Sequence, residues 1–128
     1  MMSRAVTDNE GRGLESRAIE RLRRKVTVEN LWIYVIKILE EEPLHAYGVK
    51  VRLRDRFGIK VATVTVYAVL YKMVREGLLM VERKGETKVY RPTEQGLRAL
   101  SEARRILEDV LQDIGRPNEE SDGGPAGI

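Results

Sequence analysis

At 128 residues the chain is long enough for one compact domain, and its apolar stretches all fall short of the ~20 residues needed to span a bilayer. It has no cysteine and one histidine, which excludes disulfides, thiolate zinc sites and thiol catalysis together. The net charge of +3 is unevenly spread: residues 44–91 hold eleven Lys and Arg against four Asp and Glu, between a neutral front (eight against eight over 1–43) and an acidic end (four against eight over 92–128). A basic middle of this kind suits a polyanion, the plain alternative being a solvated surface that happens to be basic.

Residues 1–13, MMSRAVTDNEGRG, lack both an apolar core and a periodicity. They read as a disordered tail rather than a signal peptide, and a cytoplasmic location follows. From Leu14 to Lys25, Leu14, Ala18, Ile19 and Leu22 recur at helical spacing and predict a short amphipathic helix. Thr27 is placed as the N-cap of the next helix. There Val28, Leu31, Trp32, Val35, Ile38 and Leu39 follow an i, i+3, i+4, i+7 pattern, and Pro43 ends the run. A further helix spans about His45 to Phe57, with Ala46, Val49 and Leu53 inward and Lys50, Arg52, Arg54 and Arg56 on its other face. Gly58 is its stop, since glycine tolerates the left-handed conformation there.

VATVTVYAVLYKMVREG, residues 61–77, favours strand by the propensity of its Val- and Thr-rich front. Its periodicity says helix: Val66, Val69, Leu70, Met73 and Val74 form one stripe, and Gly77 closes it. Over this length the periodicity decides, predicting a helix from about Thr63 to Glu76. Val64, Ala68, Tyr71, Lys72 and Arg75 then fall opposite the stripe, with Tyr67 at its edge. Two short strands, about 79–84 and 87–92, follow across Gly85-Glu86, a hairpin signal. Thr93 caps a last helix to about Ile114, in which Leu100, Ala103, Leu107, Val110 and Ile114 step by three and four, widened by Leu97, Ile106 and Leu111. Residues 115–128 read as a second loose tail.

Helices, then a hairpin, then a helix make a fold that is mainly α with a small β-hairpin (α+β). The order is that of a winged helix-turn-helix over 14–92, with a dimerisation helix over 93–114. In such a fold the helix at 63–76 fits the major groove. Three stretches carry a family resemblance. Pro43-Leu44-His45-Ala46-Tyr47 resembles the P-L-H-G-Y opening of the second helix in PadR-type transcriptional regulators. Thr65 to Leu70 with Met73 and Gly77-Leu78-Leu79 resembles their recognition-helix pattern. Tyr90-Arg91-Pro92-Thr93-Glu94-Gln95-Gly96 resembles their wing end. Ala46, Gly48 and Pro92 depart from that pattern. The resemblance, over about residues 28–114, implies a homodimeric DNA-binding repressor of the shorter branch, with a single C-terminal helix packing against its mate.

The residues then take roles. His45 reads as a capping or packed side chain rather than a catalytic base or ligand, because one histidine without cysteine makes no ordinary zinc set. Neither an enzyme nor a metal or cofactor site is expected. For duplex DNA the candidate contacts are Thr63, Val64, Thr65, Tyr67, Ala68, Tyr71, Lys72 and Arg75 on the helix, with Arg83, Lys84 and Lys88 on the wing. Long flexible cations on the wing suit phosphates better than base edges. Leu100, Ala103, Leu107, Val110, Leu111 and Ile114 are the candidate dimer seam, since an exposed apolar stripe calls for a partner. Two-fold symmetry sets the recognition helices roughly 34 Å apart on a pseudo-palindromic site. Trp32 is open between core, dimer interface and, by the resemblance, the lining of a cavity for an aromatic small-molecule effector. Two rival functions stay in view: a non-specific chromatin-type DNA coat, and a winged-helix adaptor whose basic face meets an acidic protein.

Overall fold

The computed structural model describes residues 16–115, so the tail read over 1–13, Leu14 at the start of the first predicted helix, and the second tail beyond Gly115 lie outside the described residues. Five helices and one hairpin follow in order: α1 (Arg17–Val26), a 3-10 turn (Val28–Asn30), α2 (Leu31–Glu41), α3 (Ala46–Phe57), α4 (Thr63–Arg75), β1 (Leu79–Lys84), β2 (Thr87–Pro92) and α5 (Glu94–Ile114). The helical reading of 63–76 and both strands stand as expected from the pattern.

The core is built on α2. Leu31, Val35, Ile36, Ile38 and Leu39 are buried there, against Val49 and Leu53 of α3, Val66, Leu70 and Met73 of α4, and Leu79 and Tyr90 of the hairpin. The step from α3 to α4 is fixed by a left-handed glycine. Gly58, at φ 71°, donates to the Arg54 carbonyl at 3.0 Å while Ile59 donates to Leu53 at 3.0 Å, closing the helix and burying Ile59. The linker before α3 joins the hairpin through one isolated antiparallel bridge. Leu44 and Tyr90 exchange both backbone hydrogen bonds (3.3 and 2.9 Å), which ties the start of α3 to the wing.

Thr27 departs from its expected role. Its hydroxyl donates to the Arg23 carbonyl at 2.6 Å and caps nothing ahead of it. A threonine hydroxyl can donate as well as accept, and here it satisfies the end of α1 instead of the start of α2. The chain needs a 3-10 turn before α2, so Val28 falls outside that helix. Asn30 Nδ2 and the Tyr34 hydroxyl likewise donate to the Lys25 and Val26 carbonyls, both at 2.6 Å. Side chains thus hold α1 by its C-terminal end, while none of its own residues is buried.

α5 is seated by a close approach. Thr93 Oγ1 donates to the Gly77 carbonyl (2.6 Å) and accepts from the Gly96 N–H (3.0 Å). A Cβ built on Gly96 would overlap the Leu78 carbonyl oxygen, so only glycine lets the helix enter here. Beyond Ala103 the helix leaves the core, and its apolar residues lie open.

Candidate nucleic-acid interface

Because Val66, Leu70 and Met73 take the inward positions of α4, its outer arc is bare from the first turn. Val64 is 73% exposed, Tyr67 54% and Tyr71 64%. Thr63, Thr65, Ala68, Lys72 and Arg75 are exposed as well. The helix starts at Ala62 without a side-chain cap, leaving its first amide N–H groups open. The Arg75 guanidinium lies 5.8 Å from the centre of the Tyr71 ring, a cation–π distance that steadies both.

The wing supplies the second wall. Val81 pairs with Tyr90 and Arg83 with Lys88 across the hairpin, so these four share one face. That face borders a groove whose other sides are Tyr67, Tyr71 and Val74 of α4, together with His45 and Tyr47 at the start of α3. Two like charges placed directly opposite repel. Glu82 does not relieve them: it sits on the hairpin's other face, held by Arg91 at 2.9 Å, and that bond pulls its carboxyl below the ordinary range. Lys84 also belongs to the other face, beside the turn. The three wing cations taken together from the sequence are therefore separated, Arg83 and Lys88 toward the groove and Lys84 away from it.

Lys72 and Tyr71 are separated too. Tyr71 faces the wing. Lys72 lies on the opposite flank of α4, over a shallow hollow lined by Trp32, Asn30, Val69 and Leu78. Trp32 is half-buried there, its Nε1 donating to Asn30 Oδ1 at 3.3 Å.

Pairing sorts the cations. Arg52 binds Glu42 at 2.7 Å, Arg54 binds Asp55 at 2.8 Å, and Arg56 binds Glu41, which lowers the Glu41 carboxyl; the basic face of α3 is largely neutralised. Among the described residues, no carboxylate lies within ion-pair reach of Lys72, Arg75, Arg83, Lys84 or Lys88. Lys50 differs from its α3 neighbours: its Nζ donates to Thr63 Oγ1 at 2.9 Å, carrying a charge to the start of α4. Lys50 and Tyr47, 62% exposed in the groove, were not among the residues chosen from sequence. Tyr47 had a signal, since at about 100° per residue it falls well away from the inward stripe of Ala46, Val49 and Leu53. Lys50 had none, because its contact depends on how α3 crosses α4. His45 behaves as a cap, its Nδ1 accepting from the Gly48 N–H at 3.0 Å.

On the candidate seam, Leu100 and Ala103 are buried within their own chain, whereas Leu107 (47%), Val110 (49%), Leu111 (66%) and Ile114 (75%) are exposed. Among the described residues no helix is long and apolar enough to cross a membrane.

A helix-turn-helix of α3 and α4 with a hairpin beside its second helix makes this a winged-helix protein. Residues 35–102 match the transcriptional regulator PadR-like family, and the chain belongs to that family, one of regulators rather than enzymes. The transcriptional regulator Rv3488 of Mycobacterium tuberculosis (strain ATCC 25618 / H37Rv) is 35% identical over 64 residues, 47% of this chain and 60% of that protein. The chain thus spans about 60% of that relative's length. Among solved structures, a PadR family transcriptional regulator from Eggerthella lenta DSM 2243 is 26% identical, with a TM-score of 0.60 over 78% of this chain and 95% of that one. F93 from STIV, a winged-helix DNA-binding protein, has a TM-score of 0.58 at 17% identity, over 66% of this chain and 94% of that one, and shows the fold alone.

Proposed function

We propose that the chain is a sequence-specific transcriptional regulator that binds double-stranded DNA as a homodimer in the cytoplasm and represses by occupying its operator. The observation that carries this reading is the sorting of charge. Arg52, Arg54 and Arg56 on α3 are paired with carboxylates, while Arg83 and Lys88 on the groove wall, and Arg75 against the Tyr71 ring, have no carboxylate within ion-pair reach among the described residues and are interleaved with exposed tyrosines. Unpaired cations flanking a bare helix fit phosphates on either side of a major groove. In this reading α4 enters the groove, Tyr67 donates to a phosphate, and Arg83 and Lys88 hold the backbone.

The homodimer rests on the uncovered stripe of α5 from Leu107 to Ile114 and on α1, where Ile19 (41%) and Leu22 (56%) are exposed. A second copy covers both and places two α4 helices on inverted half-sites. The hollow beside Trp32 is the candidate place for an aromatic effector, and quenching of Trp32 fluorescence by planar aromatic compounds tests it.

Selection of bound duplexes from random DNA tests binding, specificity and symmetry at once. Two inverted half-sites about one helical turn apart are expected. Binding without enrichment selects the non-specific coat. Failure to bind any duplex at low salt selects the protein adaptor.

A further inference from the structure

The bare arc of α4 also indicates which base edges it reads, an inference that rests on the duplex-binding reading above. The base-selective hydrogen bonds of direct readout come from Arg or Lys on guanine, Asn or Gln on adenine, and Asp or Glu on cytosine, whereas a Thr hydroxyl such as that of Thr65 bonds to more than one base and discriminates little. The first seven residues of α4, Thr63 to Val69, contain none of those six base-selective types. The helix's cations come late, at Lys72 and Arg75. Arg75 is laid on the Tyr71 ring and Lys72 overhangs the Trp32 hollow. The Thr63 hydroxyl is engaged by Lys50.

A recognition helix presents its N-terminal residues to the bases. What this one presents there is an isopropyl group and a methyl group: Val64, 73% exposed, and Ala68 one turn later on the same face, about 6 Å along the axis. The apolar feature of the major-groove floor is the C5-methyl of thymine. The geometry points to Val64 and Ala68 as specificity-determining residues that recognise thymine methyl groups within each half-site.

The test starts from the duplex most enriched in a selection from random DNA. Each thymine is replaced singly by deoxyuridine, which keeps base pairing and removes only the methyl. Affinity of the full chain is read by fluorescence anisotropy. At one or two positions per half-site the affinity falls about fourfold, the value of burying one methyl-sized group. In Val64→Ala the loss at the matching position shrinks to about twofold or less, because partners in contact are coupled. The variant keeps its fold, since the side chain is exposed and alanine favours helix; circular dichroism checks this. Specific binding with a flat uridine scan, or a loss that Val64→Ala leaves intact, overturns this inference while the regulator reading stands. A selection that enriches no duplex overturns both.

Discussion

Residues in this protein matter through the partner each one has or lacks. Thr93 and Gly96 show the first case. One hydroxyl bridges Gly77 and Gly96, and the missing Cβ of Gly96 lets α5 meet the Leu78 carbonyl. Gly96→Ala is expected to destabilise the fold by about 1–3 kcal/mol, the cost of overpacking a tight contact; chemical denaturation measures it, and an unchanged midpoint contradicts the seating. Lys88 shows the second case. Lys88→Ala removes an unpaired cation facing Arg83, so it should leave stability unchanged or raise it slightly. It should also lower the slope of log affinity against log salt by about 0.9, the share of one phosphate. Single-residue roles were legible where they depend on chain position. His45 and Thr93 begin helices and cap them. They were illegible where they depend on approach: Lys50 reaching Thr63, or Thr27 bonding backwards to Arg23.

At the scale of elements, period outweighed propensity. The Val- and Thr-rich front of α4 is helical because Val66, Leu70 and Met73 must all reach α2 and α3, and only a 3.6-residue repeat puts them on one side. In the hairpin, the two-residue alternation of each strand and the register together put Val81, Arg83, Lys88 and Tyr90 on one face. α5 is two pieces in one helix. Its first half, with Leu100 and Ala103, is core; its second half, with Leu107, Val110 and Ile114, is uncovered. The three-and-four spacing is the same in both, so the sequence held no mark of the division. Leu107→Lys and Val110→Lys are expected to convert a dimer to a monomer in mass measurements while helix content is retained. A wild-type monomer at micromolar concentration contradicts the seam.

For the molecule as a whole, titration gives stability a modest pH dependence, because the paired carboxylates are exposed. Glu29, Glu41 and Glu82 have carboxyls lowered chiefly by hydrogen bonds from Lys25, Arg56 and Arg91 respectively. Their contribution is complete above the unfolded value of about 4.3 and is lost as pH falls through the lowered ones. Burial raises the Tyr34 and Tyr90 hydroxyls. That contribution is complete below about pH 10 and is lost as pH rises through the raised values. Melting temperature should hold level between these limits and drop beyond each; a fall beginning near pH 6 contradicts this assignment.

The sorting of paired from unpaired cations is tested most directly by anisotropy titrations of a selected duplex across a range of salt concentrations. Arg83→Ala/Lys88→Ala is compared with Arg52→Ala/Arg54→Ala, which removes equal charge from the neutralised face of α3. The first pair should weaken binding at least tenfold at moderate salt and flatten the salt dependence by about two phosphates' worth, the second by little. Equal losses from both pairs, or a larger loss from the second, would contradict the placement of DNA against α4 and the wing.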